Sequence, residues 1–157
     1  MGVNLYPLKD LNLELKDAGL VAASAAAQVG GVDKVLSLGL GYPSTSAMGA
    51  AWCGEIHVFV TAIEVASGDE SYQIEWQLSS SPTFASDVIV SSILRLGDSS
   101  ITNESADSVI GHYIMCVSNY SHNPETARYP YGRLFTRVAG AIATGINYSA
   151  FATEDIG

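Results

Sequence analysis

Thr61-Ala62-Ile63-Glu64-Val65, then Ser67-Gly68-Asp69-Glu70, then Tyr72-Gln73-Ile74-Glu75-Trp76-Gln77-Leu78, is the stretch that decides the fold class. Its last seven residues alternate apolar and polar without a break, the period-2 signature of a strand with one buried and one wet face. Phe59-Val60 precede it, and Gly68-Asp69 supply a type II′ turn whose first central position favours a glycine with positive φ. The stretch therefore predicts a β-hairpin with facing pairs Val65–Tyr72, Ile63–Ile74, Thr61–Trp76 and Phe59–Leu78 on a buried face. Glu64, Glu75 and Gln77 fall on the wet face, and a one-residue slip would destroy the sorting. This assignment leaves Ile56, Val58 and Val60 on the face opposite the core, in need of cover from an arm, a loop or another subunit.

The pattern repeats on both sides of this stretch. Leu11, Leu13 and Leu15 alternate with Asn12, Glu14 and Lys16, as an arm that ends in a strand. Gly19–Gln28 is small and apolar, but Gly30-Gly31 stops it at about ten residues, marginal for a lone helix, so it is expected to be extended. Val32–Leu38, Val88–Leu96 (with Val88, Val90, Leu94 and Leu96 on one side), His112–Ser118, Leu134–Ala139 and Ile142–Phe151 read as further strands. Gly39–Gly54, Gly97–Asp107 and Asn119–Gly132 read as loops. About eight short strands at near-regular spacing predict an all-β chain: an antiparallel β-sandwich or jelly roll. The expected organisation is an extended N-terminal arm over 1–16, a sandwich domain over 17–152 and an acidic tail over 153–157.

Composition narrows the function classes. The chain has 157 residues, enough for one domain with a sizeable core. Sixteen acidic residues against seven basic ones give a net charge of −9, which disfavours nucleic acid and anionic membranes as partners. No apolar run reaches membrane-spanning length and no secretory signal is evident, so cytosolic maturation is expected. Cys53 and Cys116 lie beside apolar runs and are expected as buried thiols.

Tests for chemistry return little. His57, His112 and His122 share no metal-ligand spacing with each other or with a cysteine. Gly39-Leu40-Gly41 lacks the rest of a dinucleotide loop, and there is no Gly-x-Ser-x-Gly elbow. Asn-x-Ser sequons at Asn103, Asn119 and Asn147 fit a serine-rich composition. No catalytic centre, metal or cofactor is expected. Three readings remain open: a structural binding protein; a carbohydrate-binding sandwich using Trp52, Tyr42, Tyr129 and Tyr131 as stacking platforms; and a glycosidase using Glu64 and Glu75, near neighbours across the hairpin.

Two segments have the composition of interfaces. Asn119–Arg137 carries Tyr120, His122, Arg128, Tyr129, Tyr131 and Arg133, in a chain with few cations, and Tyr and Arg dominate interface hot spots. The arm offers Leu5, Tyr6, Leu8, Leu11 and Leu13, more apolar surface than a free tail should show to water. These eleven residues are the expected capsid-facing or self-facing contacts under the reading that follows.

Leu15-Lys16-Asp17-Ala18, Val21–Ala26 and Val35-Leu36-Ser37-Leu38-Gly39 resemble the opening of the jelly-roll cement (decoration) proteins of tailed-bacteriophage heads. Gln77–Ser86 is similar to that family's polar turn ending in Phe and small residues, and Tyr131–Thr136 leading to Gly140 and Gly145 is similar to its closing run. The resemblance covers roughly Leu15 to Ala152. It implies a non-enzymatic virion protein on the outer capsid surface, made in the host cytoplasm, which bridges and stabilises copies of the major capsid protein, often as a dimer. The arm, the Gly-rich loop with Trp52 and the Asn119–Gly132 loop depart from the family pattern.

Overall fold

Val60 and Ile63 both point into the core of this protein although they lie three positions apart, an offset that should put them on opposite faces of a regular strand. The computed structural model, which describes residues 13–38, 52–119 and 128–154, shows how. Strand β7 (Cys53–Ile63) pairs along its length with β12 (Ile146–Glu154), and the register steps from Ala62–Asn147 to Val60–Tyr148. Thr61 is the extra residue of a β-bulge, which re-aims the following side chains. Ile56, Val58 and Val60 are therefore core residues, and Phe59 lies on the outer face. Periodicity alone places this strand the other way round, because parity counted back from Ile63 passes through a bulge that alternation cannot reveal.

The predicted hairpin does not form. The other edge of β7 pairs with β10 (Gly111–Ser118), while β8 (Ser71–Ser79) pairs with β9 (Ile89–Gly97) and β11 (Tyr131–Ala139). Both edges of both strands are thus occupied, and Trp76 faces Leu134 and Ser92 rather than Thr61. The chain between β7 and β8 arches from one sheet to the other. Gly68 does take positive φ, at 80°, but the Glu70 carboxylate organises the turn. It accepts the N–H groups of Ser67, Gly68 and Asp69 at 2.6, 2.9 and 3.1 Å. Burial alone would raise the Glu70 carboxyl, but these backbone donors outweigh it and hold it below the usual range.

Shorter strands complete the two sheets: β1 (Glu14–Lys16), β2 (Leu20–Val21), β3 (Ala25–Ala26) and β6 (Leu36–Ser37), with β4 (Gln28–Val29) and β5 (Val32–Asp33) as a separate two-stranded ribbon. One sheet runs β1 and β2 together, β12, β7, β10; the other runs β3 and β6 together, β11, β8, β9. Counting each broken edge as one strand, the chain fills its positions in the order first, eighth, third, sixth in one sheet and second, seventh, fourth, fifth in the other. Antiparallel sheets packed face to face in that order are a jelly roll. One helical turn, α1 (Ser99–Thr102), follows β9, with the Asp98 carboxylate as its N-cap.

The core lies between the sheets. Tyr72, Ile74, Trp76 and Leu78 of β8 meet Ile56, Val58, Val60, Ile146 and Tyr148 across it, all buried, so the β8 alternation assigned the inner face correctly. Trp76 Nε1 donates to the Ser118 carbonyl at 3.1 Å and so ties the sheets together. The indole fits because residue 132, opposite Leu78, is glycine: a Cβ there would overlap the six-membered ring of Trp76. Gly132→Ala is accordingly expected to cost about 1–3 kcal/mol by overpacking, measured by urea unfolding. An unchanged midpoint would contradict that packing.

Several boundaries shift. β1 belongs to the sandwich, so the domain begins by Glu14 rather than at 17; Lys16 is buried, its Nζ donating to the carbonyls of Asp17, Gly19 and Tyr148. Strand β12 runs through Glu154, so the tail starts after the predicted 153. In β9 a second bulge, at Ser91 opposite Trp76–Gln77, turns Val90 outward while Leu94 and Leu96 stay inward. Cys53 and Cys116 are exposed free thiols, because their positions share the outer parity of β7 and β10.

Candidate binding faces

With the inner faces closed against each other, function falls to what the sandwich shows outside. The outer face of the second sheet is built from three adjacent strands. Directly paired residues point to the same side of a sheet, so the register sets three rows: Arg133, Gln77, Val90; Phe135, Glu75, Ile93; and Arg137, Gln73, Arg95. Three of the chain's four arginines stand on this one face.

A buried polar layer holds two of those arginines. Gln77 Nε2 donates to Glu75 Oε2 at 2.7 Å, Arg133 Nε donates to Gln77 Oε1 at 3.0 Å, and Arg137 Nε donates to Glu75 Oε1 at 2.5 Å. Glu75 and Gln77 are only 2% and 3% exposed, so the expected wet face is covered at its centre. The two arginines bond them from outside, and two rings flank the arginines. The Arg133 guanidinium lies 4.3 Å from the Phe84 ring centroid and 5.2 Å from that of Phe135, and Arg137 lies 5.6 Å from Phe135 on the same strand. Phe84 reaches this position from the Ser79–Asp87 turn, where it adopts a positive φ of 53°. Val90 and Ile93, each about 40% exposed, leave an apolar border beside the charges.

The outer face of the first sheet is aromatic instead. Phe59 stacks on His112 (4.4 Å between centroids), and His57 stacks on Phe151 (5.0 Å). His57 Nδ1 meets His112 Nε2 at 2.9 Å, so one ring donates and the other accepts. Two protonated rings could not share that contact. Burial first, then the His112 charge, hold His57 below its ordinary value, against an upward pull from Glu55. The fold thus favours neutral His57, and the unfolded chain binds a proton first as the pH falls. That stability is present above the ordinary histidine range and is lost as the pH drops through it. Tm is expected to fall between about pH 7.5 and about pH 5, and His112→Phe, which keeps the stacking, should flatten the fall. An equal slope in both proteins would contradict the coupling.

The residues singled out from sequence are scattered. Tyr131 and Arg133 lie half-buried on the outer face of the second sheet. Leu13 and Tyr129 are half-buried and pack against the core. Arg128 is half-buried in a single-residue bridge. Leu5, Tyr6, Leu8, Leu11, Tyr120 and His122 lie outside the described residues, as does Tyr42. Asn119, one of the sequons, is 1% exposed: its side chain accepts the Trp52 N–H at 2.9 Å and its carbonyl accepts the Tyr129 N–H at 2.9 Å. Arg137 closes the Asn119–Arg137 segment although it is not among the eleven expected contacts; Arg95, Phe84, Phe135, Val90 and Ile93 were missed. Once strands are paired, Arg133, Phe135 and Arg137 at alternate positions of one strand are the visible signal.

Glu64 and Glu75 are not neighbours across a hairpin. Glu64 sits in the arch and Glu75 on the outer face of the opposite sheet. The Glu64 Oε2 atom accepts the N–H groups of Gly145, Thr144 and Ala143 at 2.8, 2.6 and 3.0 Å, and these donors hold the carboxyl below its ordinary range. Gly145 reaches it with a positive φ of 91°. Each carboxylate is thus committed to a structural contact. A shallow groove of about 410 Å³ beside Lys16–Gly31 is lined mostly by small residues, and its Lys16 ammonium is already spent on three carbonyls. Among the described residues, no group of three or more His, Cys, Asp or Glu side chains is placed to hold a metal ion.

No helix among the described residues is long and apolar enough to cross a membrane. Neither a family model nor a curated protein matches the chain.

Proposed function

We propose that this chain is a non-catalytic cement protein of a phage head, attached to the outer capsid surface through the outer face of its β8–β9–β11 sheet. The observation that carries this reading is the composition of that face. Arginine, phenylalanine and exposed aliphatic residues on a rigid sheet are what protein interfaces use as anchors, and three guanidinium groups gather there in a chain of net charge −9. The jelly-roll order and the sequence resemblance to cement proteins support the same assignment. Partner contacts fall to the major capsid protein and to a second copy of the chain.

Self-association has its own support. Strand β10 ends its sheet, pairs with β7 over eight residues without a register shift, and contains no proline and no Asp, Glu, Lys or Arg. No described strand pairs with its other edge. Such edges invite an antiparallel copy of themselves, which a two-fold axis supplies. The carbohydrate-binding alternative has less support, since Trp52 packs on Trp76 (5.8 Å between centroids) and Tyr129 packs on the core.

The test is attachment to undecorated heads. Wild-type protein should bind at saturating, countable copies per particle, and the double variant Arg133→Ala, Arg137→Ala should bind at least tenfold more weakly while remaining folded by circular dichroism. Folded wild-type protein that leaves heads bare would sink the assignment.

A further inference from the structure

We propose that the β8–β9–β11 face recognises an extended acidic segment of a partner protein, in which two carboxylates four residues apart seat on Arg133 and Arg137. This rests on reading that face as a docking surface, and not on which particle carries the partner. The spacing comes from the strand: residues four apart on one face lie about 13 Å from each other, and a second extended chain repeats that distance. The preorganisation comes from below. Buried Gln77 and Glu75 each take the Nε proton of one arginine, and the bond between them fixes the pair. No hydrogen bond among the described residues takes up the Nη atoms, so each guanidinium keeps the end-on pair of donors that matches a carboxylate.

The centre of the site sets the rest of the motif. Phe135 stands between the two arginines, with exposed Ile93 two strands away in the same row. An extended segment with acidic residues at its first and fifth positions therefore places its third side chain over Phe135, and an apolar residue fits there. Arg95 extends the positive field beyond Arg137, and Asp33 acts on Arg133 from the rim. Phosphate or sulfate polymers would meet this apolar centre with nothing to bind, which favours a protein partner.

The experiment uses the full chain, isotope-labelled at arginine, titrated by NMR at low salt with the peptide Thr-Glu-Thr-Val-Thr-Glu-Thr. A peptide with Gln in place of both Glu and a sulfated heparin oligosaccharide serve as competitors, and sedimentation monitors self-association. The Arg133 and Arg137 side-chain resonances should shift, with at least tenfold weaker binding for the Gln peptide. The double variant Arg133→Lys, Arg137→Lys keeps the charge but loses the fork, and should also bind at least tenfold more weakly with an unchanged circular dichroism spectrum. No shift, equal binding of the Gln peptide, full binding by the lysine variant, tighter binding of the oligosaccharide, or occupation of the face by a second copy would each overturn the proposal. Peptide binding by protein that leaves heads bare would remove only the cement assignment, and head attachment without peptide binding would remove only this one.

Discussion

Trp76→Ala is expected to lower the unfolding free energy by about 3–5 kcal/mol, the range for deleting a fully buried large aromatic side chain. Trp76 has no exposed surface and lies in the middle of the inner face of β8. Its removal leaves a void that Leu134 and Ser92 on the flanking strands cannot fill without backbone movement, since Gly132 beside it has no side chain to offer. It also leaves the Ser118 carbonyl without the donor that crosses between the sheets. Urea unfolding followed by circular dichroism measures this directly. A loss under about 1 kcal/mol would mean that the indole is not the keystone of the core.

Glu75→Ala should cost about 2–4 kcal/mol, through a different mechanism. Glu75 is on the outside of its sheet yet 2% exposed, so its removal strands polar neighbours rather than apolar ones. The Gln77 amide loses its acceptor while still buried, and Arg137 loses the anchor for its Nε. An unsatisfied buried donor is expensive, whereas the Arg137 side of the pair, 55% exposed, contributes less because water screens it. Glu75→Gln restores an acceptor for Gln77 and should recover most of the loss in the same unfolding measurement. If Ala and Gln cost the same, the carboxylate is serving Arg137 alone.

The two variants separate what the sequence made legible from what it did not. The alternation Tyr72–Leu78 assigned every inward residue of β8 correctly, because a strand half-buried in a sandwich must alternate whatever it pairs with. For the same reason it could not name the partner: two strands that face each other across a core alternate just as two strands in a hairpin do. The arch between β7 and β8 depends on the Glu70 side chain capping three N–H groups, a contact that a turn-type reading of Gly68-Asp69 overlooks. Parity failed at Thr61 and Ser91, where bulges insert one residue and everything beyond changes face.

The binding face was half legible. Arg133 and Tyr131 stood out as an arginine–tyrosine cluster, but that cluster was drawn along the chain, so it joined them to Arg128 and Tyr129 and missed Arg95 and Ile93. Those residues are brought together only by the pairing of β8 with both β9 and β11. Burial of Glu75 and Gln77 was not legible either. It goes with Arg133 and Arg137, which bond these side chains from outside, and Arg133 lies against Phe84, which arrives from a turn in a positive-φ conformation that alternation cannot forecast.

Docking through the β8–β9–β11 sheet fixes the orientation of the sandwich on a decorated particle. A density map of heads carrying the wild-type chain, at a resolution that separates the two sheets, should show the β8–β9–β11 sheet turned toward the shell, with Arg133, Phe135 and Arg137 against acidic groups of the capsid lattice. A map with that face in solvent, and the His57–Phe59–His112 face or a loop against the shell, would exclude docking through the β8–β9–β11 sheet.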